Sequence, residues 1–140
     1  MNTKPYLTLA DVKKIGAAAE AEAVHNGWAV SIAIVDDGGH LLWQQRLDGA
    51  PPLSSYIAPA KARTSALGRR ETKLYEDVIN NGRFAFLSAP QLEGALEGGV
   101  PVVVDGHVIG AVGVSGVKSE QDARIARAGV AALEASSEAT

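Results

Sequence analysis

The chain has 140 residues, a net charge of −3, 46% apolar residues and no cysteine. This length suits one domain with one core, and the missing cysteine excludes disulfides, thiol catalysis and thiolate metal sites. The mild acidity gives no general pull toward nucleic acid or anionic membrane, although Lys and Arg gather between Lys61 and Lys73.

The opening stretch MNTKPYLTLADVKK has no apolar run of signal-peptide length. Nothing downstream approaches the ~20 apolar residues of a membrane helix, so a cytoplasmic protein is expected. From Thr8 to about Asn26 the pattern predicts a helix. Thr8 and Asp11 have capping-box spacing, and Leu9, Val12, Gly16, Ala19 and Ala23 form one stripe. Asn26-Gly27 is its stop. Trp28 to Val35 alternates like a strand, with a bulky face (Trp28, Val30, Ile32, Ile34) and a smaller one (Ala29, Ser31, Ala33, Val35). Both faces are expected to be covered. The turn Asp36-Asp37-Gly38-Gly39 leads into a returning strand, His40 to Arg46.

Residues 48–52 are irregular. A second helix is predicted from about Ser55 to Leu67, closed by Gly68, with Pro59 tolerable only in a first turn. Thr72 opens a short third helix that stops at Asn81-Gly82, and the glycine-rich run before Gly99 suggests a bent loop. Pro101 to Val104, the Asp105-Gly106 turn and His107 to Ser115 make a second hairpin. A last helix runs from Ser119 to about Ser136, where Ser119 and Asp122 repeat the capping-box spacing. Two hairpins and flanking helices imply an α+β fold with an antiparallel sheet, one domain over residues 1–140.

Gly110, Gly113 and Gly116 raise the question of a phosphate loop. Their spacing is G-x-x-G-x-x-G, which is neither the dinucleotide nor the Walker pattern, and they sit within a hairpin strand. Two readings remain. The first two glycines allow close packing or a bulge and the third lets the chain turn; or the GVSG corner and the following helix start favour an anion.

Several motifs in order resemble the GlcG/HbpS family of haem-degrading-like proteins. They are IAIVDDGGHLLWQQRLDGA, the AKA at Ala60–Ala62, EGGVPVVVDGHVIGAVGVSG and Gln121-Asp122, and they cover nearly the whole chain. The resemblance implies a central antiparallel sheet of about five strands flanked by helices, profilin-like. It also implies homo-oligomers, from dimers to octamers, and haem or a related tetrapyrrole as ligand. Family members also occur in glycolate and diol utilisation operons and as the C-terminal domain of some corrinoid adenosyltransferases. An enzyme or accessory protein of hydroxy-acid, oxo-acid or diol catabolism, acting on a small carboxylate, is therefore the alternative.

Among the histidines, His25 matches the region where haem-binding relatives place an iron ligand; the plain alternative is a histidine at a helix C-terminus. His40 and His107 open hairpin strands and read as surface residues, and no spacing marks a metal site. Arg46, Asp48 and Lys61 match the R-x-D-G-A and K-A motifs. Arg46 and Lys61 could hold a carboxylate or a haem propionate, or could pair internally with Asp48 or Asp36. Gly99 and Gly116 would add backbone amides, and Ser115 a ligand-binding hydroxyl, since GVSG is not a nucleophile elbow. Asp36 or Asp37 could serve as a base, or bond to their own turn. Trp28, Trp43, Tyr56, Phe84 and Phe86 could line a pocket or pack the core.

Overall fold

The computed structural model describes residues 1–138. Its elements are α1 (Leu9–Asn26), β1 (Ser31–Asp36), β2 (Leu41–Arg46), α2 (Ser54–Gly68) and α3 (Thr72–Asn80), then a 3-10 turn (Phe84–Ser88), β3 (Gly99–Val104), β4 (His107–Ser115) and α4 (Ser119–Glu138). The strands form one sheet in the order β2-β1-β4-β3, with every neighbouring pair antiparallel. The sheet has four strands where the resemblance implies about five. Between α3 and β3 the chain carries Pro90, Gly94 and Gly98 and no alternating run, so it forms the 3-10 turn and a loop rather than a strand.

The alternation in β1 sets the layers. Val30, Ile32 and Ile34 join Val112 and Val114 of β4 against α1 and α4, where Val12, Ile15 and Ile125 are fully buried. Each such side chain gains about 1.5–3 kcal/mol on burial. Ala33, Val35 and Ala111 point to the other face and meet Ala58, Ala62 and Ala66 of α2. The first helix starts where its sequence says. Thr8 Oγ1 accepts from the Asp11 N–H, the Asp11 carboxylate accepts from the Thr8 N–H, and Gly27 closes the end at φ 70°.

Three local expectations are corrected. Pro59 lies beyond the first turn of α2. The amide it lacks would have bonded the Ser55 carbonyl, and Gln44 Nε2 fills that place at 2.8 Å. The helix also runs through Gly68, and Arg69 takes the left-handed cap at φ 60°. At the start of α4, Asp122 reaches back to the Val117 N–H at 3.2 Å and Gln121 Oε1 accepts from the Lys118 N–H at 3.3 Å. The cap thus uses Gln121 and Asp122 on residues before Ser119.

The segment from α3 to the 3-10 turn buries little. Thr72 is the buried residue of α3, while Leu74, Val78, Phe84 and Leu87 are all exposed. An amphipathic helix without a covered apolar face is unusual for a finished surface.

Candidate functional site

Two glycines paired across β3 and β4, Gly99 and Gly113, let the backbone of the sheet approach α2. A Cβ on Gly113 of β4 would lie 2.1 Å from the Ala58 carbonyl oxygen, and one on Gly99 would lie 2.5 Å from that of Lys61. No side chain fits such gaps. The close-packing reading of the glycine series therefore holds at Gly113, and Gly116 turns the chain at φ 142°.

That tight approach buries Lys61, which is 3% exposed. Its Nζ donates to the Val114 carbonyl at 2.8 Å and to Asp122 Oδ2 at 3.2 Å. Burial pushes the Lys61 ammonium below the ordinary lysine value, and the charge of Asp122 offsets part of this. Burial likewise raises the Asp122 carboxyl, against the pull of Lys61 and the Val117 N–H. One carboxylate thus bonds α2 through Oδ2 and the approach to α4 through Oδ1. The internal partner of Lys61 is neither Asp48 nor Asp36.

The other nominated residues are spread around this pair. Gly99 donates its amide to Thr72 Oγ1 at 2.8 Å, so that amide is engaged. Ser115 ends β4 opposite Ser31, whose Oγ bonds Ser54 Oγ at 2.8 Å; the Ser54 hydroxyl in turn donates to the Pro51 carbonyl at 2.6 Å. Gly116 packs against Ala29 and Val30. Arg46 is exposed on the edge strand β2 and makes no ion pair among the described residues. It is two strands away from Val114, where Lys61 is anchored. The structure does not join Arg46 and Lys61 into one cation pair. Asp48 is exposed and borders a shallow depression of about 350 Å³ with Glu20, Val24, Trp28 and Leu47.

Of the histidines, His25 stands exposed in the last turn of α1, with no hydrogen bond among the described residues. His40 Nδ1 lies 3.2 Å from Asp36 Oδ1, which also accepts from the Gly38 and His40 N–H groups, so Asp36 is a turn residue. Asp37 pairs with Lys4, whose ammonium holds its carboxyl below the usual range. His107 is exposed and shares a cavity of about 460 Å³ with Lys4, Arg69 and Val103. Among the described residues no group of His, Asp and Glu is arranged to hold a metal ion, and no helix is long and apolar enough to cross a membrane.

The aromatic side chains do not share a pocket. Trp43 packs on Gly16, Trp28 lies 5.6 Å beneath the Arg124 guanidinium, and Tyr56 and Phe84 point to solvent. Sequence spacing could not reveal Asp122 as the partner of Lys61 or Gln44 as the partner of Ser55, because both depend on how α2 sits on the sheet.

A family model described as haem degrading protein HbpS-like matches residues 7–131. Protein GlcG of Escherichia coli K12 is 59% identical over 115 residues, covering 82% of this chain and 85% of GlcG. The crystal structure of HbpS superimposes with a TM-score of 0.85 at 33% identity, covering 95% of this chain and 94% of that one. A crystal structure of a PduOC–haem complex superimposes at 0.83 with 31% identity, covering 91% of this chain and 95% of that one.

Proposed function

The chain belongs to the HbpS-like family, and from that premise we propose that it is a small-ligand-binding protein for haem or a related tetrapyrrole, with His25 as the side chain that meets the iron. The observation that carries this reading is the state of His25. It is exposed and its ring nitrogens are unengaged among the described residues, whereas His40 is tied to Asp36. Haem iron accepts an imidazole nitrogen readily. A relative crystallised with haem, PduOC, has the same fold over most of the chain.

The donor fits the group, but one protomer does not enclose it. Among the described residues, none of the five main cavities includes His25 in its lining. Beside it on α1, Val24 is 65% exposed. His25 would hold the ligand against an open surface, and a second copy would be needed to cover the opposite side. Self-assembly is part of the proposal and has its own support in the exposed Leu74, Val78, Phe84 and Leu87.

A haemin titration of untagged protein, followed by absorbance, tests the ligand. Saturable binding of one haem per chain that is lost in His25→Ala and kept in His107→Ala is the expected result. Non-saturating binding, or binding unchanged in His25→Ala, would remove the proposal.

The alternative is an accessory protein or enzyme of hydroxy-acid, oxo-acid or diol catabolism, and it rests on Arg46, exposed and free of ion pairs among the described residues. Lys61 and the Gly99 amide are committed internally and give it no support. Thermal stabilisation by small carboxylates that disappears in Arg46→Ala would favour it over the tetrapyrrole reading.

A further inference from the structure

The two edges of the sheet are closed differently. At the β3 edge Pro101 has no N–H to offer, a bulge separates Val102 from Val103, and the Gly99 amide is taken by Thr72. At the β2 edge none of these devices is present near Gln44 to Arg46, and the irregularity of the β1–β2 pair lies at the far end, between Ile34 and Val35.

The direction of the β2 main-chain groups follows from its register. Leu47 donates to the Val30 carbonyl at 2.9 Å, and Gln45 and Trp43 stand opposite Ile32 and Ile34. Trp43, Gln45 and Leu47 therefore turn their N–H and C=O groups toward β1, and Gln44 and Arg46 turn theirs outward. Among the described residues nothing bonds these outward groups. Apolar side chains of the same strand flank them, since Leu41 and Leu42 are both exposed. A bare edge with apolar flanks is a template for another strand.

We propose that the β2 edge pairs antiparallel with the β2 edge of a second copy, about a twofold axis at Gln45, so that two sheets become one. The proposal rests on the self-assembly reading and names its contact. The edge is complementary to itself. With the axis at Gln45, Gln44 faces Arg46 of the second copy, and both pairs have their groups turned the right way. Each such pair exchanges two bonds, giving about four across the axis. Centring on Gln44 sets Arg46 opposite Leu42, which falls in the irregularity of the β1–β2 pair, and centring on Arg46 sets two like charges opposite each other. An isologous contact also closes on itself, which removes the exposed edge.

Sedimentation velocity and amide hydrogen exchange together test this. The Gln44 and Arg46 amides are expected to be protected at concentrations where the protein self-associates and to lose protection on dilution. Arg46→Pro deletes an outward N–H without touching the β1 ladder, and it should weaken association by about tenfold or more. Leu42→Lys, which puts a charge beside the edge, should act in the same direction if Arg46→Pro does not fold. A protein that stays monomeric at high micromolar concentration would overturn both self-assembly and this contact. A self-associating protein whose Gln44 and Arg46 amides exchange like those of an exposed peptide would overturn this contact alone. Protection that persists at every dilution in a monomer, as when an extended peptide fills the edge, would also overturn it.

Discussion

Toward α1 and α4 the sheet presents Ile and Val; toward α2 it presents mostly Ala and Gly, with Val35 among them. The first face is thick, with side chains as spacers that can repack. The second is a contact of backbone on backbone, in which Gly113 sits against the turn of α2 from Ala58 to Ala62. Both faces are fully buried, but they are stabilised differently. The large-residue face gains from apolar area and dispersion. The small-residue face buries less area per residue, and Lys61 of its helix pairs with Asp122 of α4, the helix on the other face.

Substitutions can sharpen this difference. The largest loss is expected from Lys61→Ala, which leaves Asp122 buried without its cation and should cost about 3–5 kcal/mol in denaturant unfolding. Replacing both partners by apolar residues should recover much of that loss, and an equal or greater loss in the double variant would show that the pair is not the cause. Gly113→Ala comes next, at about 1–3 kcal/mol or more, because the added methyl meets backbone that can yield only if α2 moves. If Gly113→Ala proves neutral, the backbone contact is not as tight as described. On the opposite face Ile34→Val, which removes one methylene, should cost only about 0.5–1.5 kcal/mol. Gln44→Leu leaves the Ser55 carbonyl short of a partner and should cost about 0.5–1.5 kcal/mol, with faster exchange at the start of α2 as its signature.

The pH dependence separates the two faces again. The folded pKa of Lys61 is lowered from 10.5, so between the folded and unfolded values the unfolded chain binds more protons. Stability then rises with pH through that window and levels off above the unfolded value. Lys61→Met should flatten this rise relative to the parent protein, whereas Ile34→Val should leave it unchanged. Equal slopes in Lys61→Met and parent would refute the assignment.

Much of this architecture was legible in local pattern. Size alternation along Val30–Val35 predicted two covered faces, and the Thr8–Asp11 spacing predicted the start of α1. The Asp105-Gly106 turn predicted the second hairpin. What escaped was long-range. Asp122 has the spacing of a helix cap, and its second oxygen meets a lysine 61 residues earlier. Pro59 looked like a boundary signal until Gln44, from another element, replaced its missing donor. The nominated ligand residues carry a similar lesson: motif order groups Arg46, Asp48 and Lys61, yet Lys61 is interior and the other two are exposed.

The place of Asp122 in the chain has a consequence for synthesis. It belongs to the last helix, so it leaves the ribosome after every strand of the sheet. Until it arrives, Lys61 has no carboxylate and its charge opposes the seating of α2, while the Ile-rich face still lacks α4. A nascent chain stopped before Ser119 is expected to stay open to protease along α2. Protection of α2 in such a stalled chain would show that the helix seats without its counter-charge.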